Sequence, residues 1–115
     1  MSPLSFVLLA MAVSGQAGSV DFSSDLIEVV GDGHHRTIPC EGRAVEVAGV
    51  NHVLTFTGEC ASLEVVGSHN QVTVQLAPGA PLSVAGTNHT VRWRSSGQPR
   101  QSIEGVNNRV ERLRD

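Results

Sequence analysis

Lysine and tyrosine are missing altogether from this chain of 115 residues, and aromatic residues make up only 3% of it. Nothing in it resembles a basic stripe with interleaved aromatic residues, for which one Trp and three Phe leave few rings, so no nucleic-acid partner is expected. The mild net charge of −3 points the same way. The two cysteines, Cys40 and Cys60, form no Cys-x-x-Cys spacing, so a catalytic thiol is not expected. Also absent are a helical hydrophobic period of any length, a phosphate loop leading from a strand into a helix, and a nucleophile and base paired by spacing. An enzyme is therefore not expected. Solenoid polysaccharide-cleaving enzymes rely on long rods with clefts of clustered Asp, Arg and Lys, for which this short chain offers poor material.

What is present begins with an address. Residues 4–13, LSFVLLAMAV, form an apolar run too short to span a bilayer, and Gly15 and Ala17 behind it fit an export-peptidase site. Residues 1–17 are read as a signal peptide, 18–26 as a lead-in and 27–115 as the folded domain. The expected location is secreted or periplasmic, with no membrane span once the signal is removed. In that setting two cysteines read as one disulfide, Cys40 to Cys60. Charge is unevenly spread: residues 19–75 carry two Arg against eight acids, whereas residues 76–115 carry six Arg against three. The molecule is expected to be a dipole, acidic at one end and basic at the other.

Gly31, Gly49, Gly67, Gly86 and Gly105 recur at intervals of 18, 18, 19 and 19 residues. A period near 20 is the mark of a repeat architecture. Aligned on these glycines, Ile27, Val45, Leu63, Leu82 and Gln101 stand four places before; Val29, Val47, Val65, Val84 and Ile103 stand two before. Arg36, Leu54, Val72, Val91 and Val110 stand five after, and Ile38, Phe56, Val74, Trp93 and Arg112 seven after. Apolar residues two apart on each side of the Gly mark two short strands per repeat, each with one buried face. Trp93 and Phe56 fall in these columns, which removes them as sugar-stacking platforms.

The expected fold is all-β, a short solenoid of about five coils of 18–19 residues, with equivalent columns stacked about 4.8 Å apart along a rod about 24 Å long. The alternative is an antiparallel sandwich or prism in which each repeat is a hairpin closed at the Gly-x-Asn turn. In either, the Gly and the Asn two or three places later (Asn51, Asn70, Asn88, Asn107 or Asn108) supply positive φ for the reversal. Cys40 and Cys60 fall in the loop region of adjacent repeats, where neighbouring coils bring Cα atoms within the roughly 4.4–6.8 Å that a disulfide needs. APGAP at 77–81 and SSGQP at 95–99 are outer loops, kept from the sheets by proline.

The pattern V-x-V-x-G-x-N-x-x-V, behind a signal peptide and with CEG at 40–42 and GEC at 58–60, resembles a family of exported bacterial proteins known as domain of unknown function 3060. The resemblance covers about residues 27–113. It implies export and the repeat fold and supplies no activity. Gln101 and Arg112, polar residues in core columns, mark the last repeat as a capping coil.

Three rows of side chains are candidates for chemistry. All five histidines lie near the turn, and stacked coils are expected to align His34, His52, His69 and His89 on one edge, where a pair could share Zn²⁺ or Cu²⁺. The other reading is that His, like Asn, tolerates turn geometry and faces water. Glu28, Glu46 and Glu64 form an outward strip whose like charges repel by roughly 1 kcal/mol per pair at the dielectric of water, so the strip is either solvated or neutralised by a cation such as Ca²⁺ or by a basic partner. Thr37, Thr55 and Thr73 form a third row, which Arg92 and Glu111 interrupt; threonine is a good strand former and an ice-binding face is not expected. The chain is thus expected to be a non-enzymatic exported module for envelope interaction or structure, its partner an envelope protein or another copy, with no obligatory cofactor. The alternatives are a metal- or small-ligand-binding module and, third, a small carbohydrate-active enzyme.

Overall fold

The computed structural model describes residues 18–113; the expected signal peptide lies outside them. Eleven strands follow one another: β1 Gly18–Phe22, β2 Leu26–Asp32, β3 His35–Pro39, β4 Ala44–Val50, β5 Val53–Cys60, β6 Ser62–Ser68, β7 Gln71–Leu76, β8 Pro81–Thr87, β9 Thr90–Ser95, β10 Arg100–Val106 and β11 Arg109–Arg112. Even-numbered strands pair with even and odd with odd, giving one sheet in the order β1-β2-β4-β6-β8-β10 and a second in the order β11-β9-β7-β5-β3. From β2 onward every pairing is parallel. Each repeat is therefore one coil, with its first strand in one sheet and its second in the other. The hairpin alternative fails because β2 pairs with β4, not with β3. The protein is a β-solenoid of five coils.

The register follows the glycine alignment. Val29 stands beside Val47, Val47 beside Val65, Val65 beside Val84 and Val84 beside Ile103. One stack of buried aliphatic side chains fills the space between the sheets, with Phe56 and Trp93 inside it. The lead-in is part of the fold: β1 lies antiparallel on β2, with Val20 beside Val29 and Phe22 beside Ile27. It covers the lower edge of the first sheet only. At the ends the columns open. Arg36, in a core column of the first coil, is exposed, and β10 is exposed throughout.

Glycine is required at this row for a reason beyond turning the chain. Gly49, Gly67, Gly86 and Gly105 have φ between 115° and 124°, and a Cβ at any of them would overlap the carbonyl of the glycine one coil below. The tight αL position lies two residues later, at Gly33, Asn51, His69, Asn88 and Asn107, with φ of 59–60° in the four that are not glycine.

Of the two cysteines, Cys40 opens the loop between β3 and β4, while Cys60 lies in a strand. Cys40 directly follows β3 and Cys60 ends β5; both are fully buried and are joined with their Cα atoms 5.2 Å apart. Cys60 is in register with Leu76 and Leu76 with Ser95, so the disulfide belongs to an inward column of the second sheet. The register of β5 shifts between Thr55 and Glu59, with Gly58 at φ 73°. This bulge lengthens the strand of the second coil and brings Cys60 into line with Cys40, and a shorter outer loop keeps the overall period.

Two stability measurements follow. Gly67→Ala is expected to lower unfolding free energy by about 3 kcal/mol or more, because it combines a strained φ with a backbone overlap; denaturant melts against wild type measure this. Reducing Cys40–Cys60 is expected to cost about 3 kcal/mol through the freed chain of the unfolded state. Since both sulfurs are buried, mass spectrometry of thiol-trapped samples should show a reductant acting slowly on native protein and fast in denaturant.

Candidate functional site

The turn after each glycine is built by two rows. The outward row is Gly33, Asn51, His69, Asn88 and Asn107, the positive-φ positions. The next residue in every coil points inward: His34, His52, Asn70, His89 and Asn108, of which His52, Asn70 and His89 are fully buried. His69 therefore leaves the expected histidine stack, and Asn70 takes its place. In the third coil the two residue types have exchanged positions, "HN" standing where the second and fourth coils have "NH". Asn70 is correspondingly not a turn residue.

The inward row is a hydrogen-bonded ladder running up the rod. The backbone N–H of His34 donates to Nδ1 of His52 at 3.1 Å, that of His52 to Oδ1 of Asn70 at 3.0 Å, that of Asn70 to Nδ1 of His89 at 3.3 Å and that of His89 to Oδ1 of Asn108 at 3.1 Å. The other end of each side chain donates to a carbonyl. His52 and His89 give their Nε2 proton to Ala48 at 3.0 Å and Ala85 at 2.9 Å, while the amides of Asn70 and Asn108 reach Gly49 at 3.0 Å and Gly86 at 3.1 Å. Because Nδ1 accepts, the proton must sit on Nε2 and the imidazole is neutral. A neutral histidine of this tautomer presents an acceptor and a donor at opposite ends, as asparagine does. That equivalence explains why the two residues alternate here.

This wiring bears on the metal question for the two buried histidines. A metal needs an imidazole lone pair, and in His52 and His89 the one available, on Nδ1, already accepts a backbone N–H. The rings of His34 and His52 stack, centroids 5.1 Å apart and 16° between planes, a packing contact. Among the described residues no three His, Cys, Asp or Glu side chains converge as a metal site. The alternative of a Zn²⁺ or Cu²⁺ pair among His34, His52, His69 and His89 does not suit His52 and His89, whose two nitrogens are both bonded to backbone, and His69 stands outside, against Asn88 Nδ2 at 3.4 Å. Burial foremost, and then the neighbouring His34, holds the pKa of His52 below its ordinary 6.5, against the opposing pull of the Ala48 carbonyl, Asp32 and the Gly31 carbonyl.

The glutamate strip is in register as expected. Glu28 stands beside Glu46 and Glu46 beside Glu64, and β1 extends the row with Asp21 beside Glu28. Alongside it runs an apolar row, Val30, Ala48, Val66 and Ala85, also in register, in which Val30 and Val66 are well exposed. One flat outer face thus carries acids beside aliphatic groups. The sequence contained both rows; Asp21 was missed because nothing in its local pattern shows that β1 returns antiparallel. On the other sheet a shallow hollow beside the β5 bulge is lined by Thr55, Thr57, Thr73, Gln75 and Arg94, hydroxyl, amide and guanidinium groups without a carboxylate or imidazole for proton transfer.

A family model described as protein of unknown function (DUF3060) matches residues 47–107, more than half of the chain. The chain belongs to this family. The DUF3060 match runs from the core of the second coil to the turn of the fifth, so it contains the ladder from His52 to His89 and the stacked glycines from Gly49 to Gly105. Comparison with the curated proteins and with solved structures returned no match. Among the described residues no helix is long and apolar enough to cross a membrane.

The ladder makes a pH-dependent contribution with a definite sign. Below about pH 6.5 the unfolded chain protonates His52 while the fold resists, so stability is complete above that pH and falls as pH drops toward the depressed folded value, by up to about 1.4 kcal/mol per pH unit. His52→Asn is expected to keep the fold and remove this contribution, whereas His52→Leu strands the His34 N–H and Ala48 carbonyl and is expected to cost about 2–3 kcal/mol. Melting each protein between about pH 7.5 and about pH 5.5 separates the two variants.

Proposed function

We propose that this DUF3060 protein is an exported, non-enzymatic module that presents a rigid strand face to a partner at the cell envelope. The observation that carries the reading is the flat outer face of the first sheet, where the acidic row Asp21, Glu28, Glu46 and Glu64 runs beside the exposed apolar row of Val30 and Val66. Acids beside aliphatics on a sheet held rigid by stacked coils suit a partner with basic and apolar groups. Export is supported by the apolar run of residues 4–13 and by the buried disulfide, which suits an oxidising compartment. The side chains that elsewhere perform catalysis are used here for structure: the cysteines in a disulfide, and His52 and His89 in the ladder.

The second reading, a divalent cation on the strip, has the strict register of the glutamates in its favour. The triple variant Glu28→Lys, Glu46→Lys, Glu64→Lys separates the two. In fractionated cells wild type is expected in the envelope fraction and the variant free, with the melting temperature of the variant equal or higher because like-charge repulsion on the native strip is not increased. Co-fractionation of the variant with wild type would reject the face as the contact. A melting-temperature rise of wild type in about millimolar Ca²⁺, absent in the variant, would replace the partner with the cation.

A further inference from the structure

The two ends of the rod are finished differently. At the lower end β1 covers β2 with an antiparallel strand. At the upper end β10 and β11 are the last strands of their sheets, and among the described residues each has one edge without a neighbour. Ile103, in the inward column, is 45% exposed and Val106 is 58% exposed. Edges of this kind are usually blunted by lysine, proline or a covering segment. β10 contains neither residue, reading RQSIEGV. Among the described residues nothing covers the core column of the coils below, which ends at Ile103 on the unpaired edge of β10.

We propose that the upper end is a self-association surface, and that two copies join there about a twofold axis, β10 pairing antiparallel with β10 and β11 antiparallel with β11. The charges select this arrangement. In β11, Arg109-Val110-Glu111 is self-complementary when reversed about Val110: each Arg109 comes opposite the other copy's glutamate at 111, and Val110 meets its own counterpart. In β10, reversal about Ile103 sets Ile103 against itself and brings Arg100 onto the diagonal of Glu104, within the reach of a long side chain. Arg100, Glu104, Arg109 and Glu111 are all exposed. Ile103 and Val110 occupy the two inward columns nearest the Gly105 turn, so one axis normal to the sheets serves both strands. Such a contact is isologous, which makes each favourable pair occur twice.

Head-to-tail stacking is the competing arrangement, and the opposite charges of the two halves of the chain favour it. It fails on strand supply. A continuing coil needs the lower edges of both β2 and β3, and β1 already occupies that of β2. Among the described residues the lower end then offers a strand in the first sheet with none at the same level in the second, which does not match the level pair β10 and β11.

Sedimentation equilibrium and light scattering on the full chain test the proposal. Wild type is expected to show a concentration-dependent monomer–dimer equilibrium that stops at two copies. Ile103→Lys sets two ammonium groups against each other and is expected to give a monomer whose circular dichroism remains that of the β fold. Arg109→Glu alone turns two attractive pairs into two repulsive ones and is expected to weaken the dimer about tenfold; adding Glu111→Arg to it is expected to restore the dimer, a rescue that a purely structural role of either residue would not produce. Thr37→Lys, on β3 at the other end, is expected to leave the dimer unchanged. A wild-type chain that stays monomeric at about millimolar concentration, assembly beyond two copies, a dimer that survives Ile103→Lys, or one that Thr37→Lys dissociates would overturn the proposal.

Discussion

At the glycine row each coil lies against the carbonyl of the coil below so closely that no side-chain atom fits between them. This contact is the constraint on which the rest of the structure depends. It holds successive coils in one register, and with the register held, every column follows: aliphatic residues stack on aliphatic residues, the inward turn residues stack into a ladder, and the glutamates line up outside. A coil displaced along the chain by one residue would turn its core outward and its charges inward. Bulk at the glycine row opens the register, which is why the period of 18–19 residues is marked by glycine more regularly than by any hydrophobic residue.

A turn buried along the edge of a two-sheet rod leaves backbone N–H and C=O groups that neither sheet can pair, and these must be satisfied from within. The ladder does this with one side chain per coil. Asparagine can serve because its amide has an acceptor and a donor; histidine can serve only as the neutral Nε2–H tautomer. Choosing histidine fills more of the corner and adds ring stacking between His34 and His52, at the expense of acid sensitivity at His52. The histidines that look most like a metal site in sequence are thus the ones with the least capacity to bind a metal, since the lone pair a metal would take is already in use. What remains for recognition is the outside of the rod: the acidic and aliphatic rows of the first sheet, and the ends.

The two ends also differ in a way that bears on how the rod is used. β1 reverses direction, so it terminates the lower end of the first sheet with a strand that belongs to no coil. The fifth coil keeps the repeat's geometry while losing its chemistry: Gln101 and Arg112 stand in core columns, and Arg112 lies over the Trp93 ring, 5.4 Å from its centroid, while donating to the Ser95 carbonyl at 3.0 Å. Those polar residues close the far side of the last core layer, and Ile103 and Val106 leave the near side apolar. A coil that is half cap and half core is suited to meeting a second surface.

Most of the fold was legible in the chain itself. The spacing of the five glycines, the alternation of Val, Ile and Leu on both sides of them, and two cysteines at similar distances behind consecutive glycines were enough to infer stacked coils, their core residues and the disulfide, because each is a local pattern repeated at a constant interval. Which of two adjacent turn residues faces inward was not legible. His69-Asn70 and Asn51-His52 differ only in order, and both residue types tolerate the αL conformation, so the assignment rests on hydrogen bonds to coils 18 and 19 residues away. The same holds for the bulge that brings Cys60 into the core and for the antiparallel return of β1, which adds Asp21 to the acidic strip. Sequence by itself determined the period and the buried columns, since those follow from each repeat's own alternation of side chains; only the tertiary structure decided the facing of the turn residues, the protonation form of the histidines and which edges stay open, since these depend on what the neighbouring coil places opposite them.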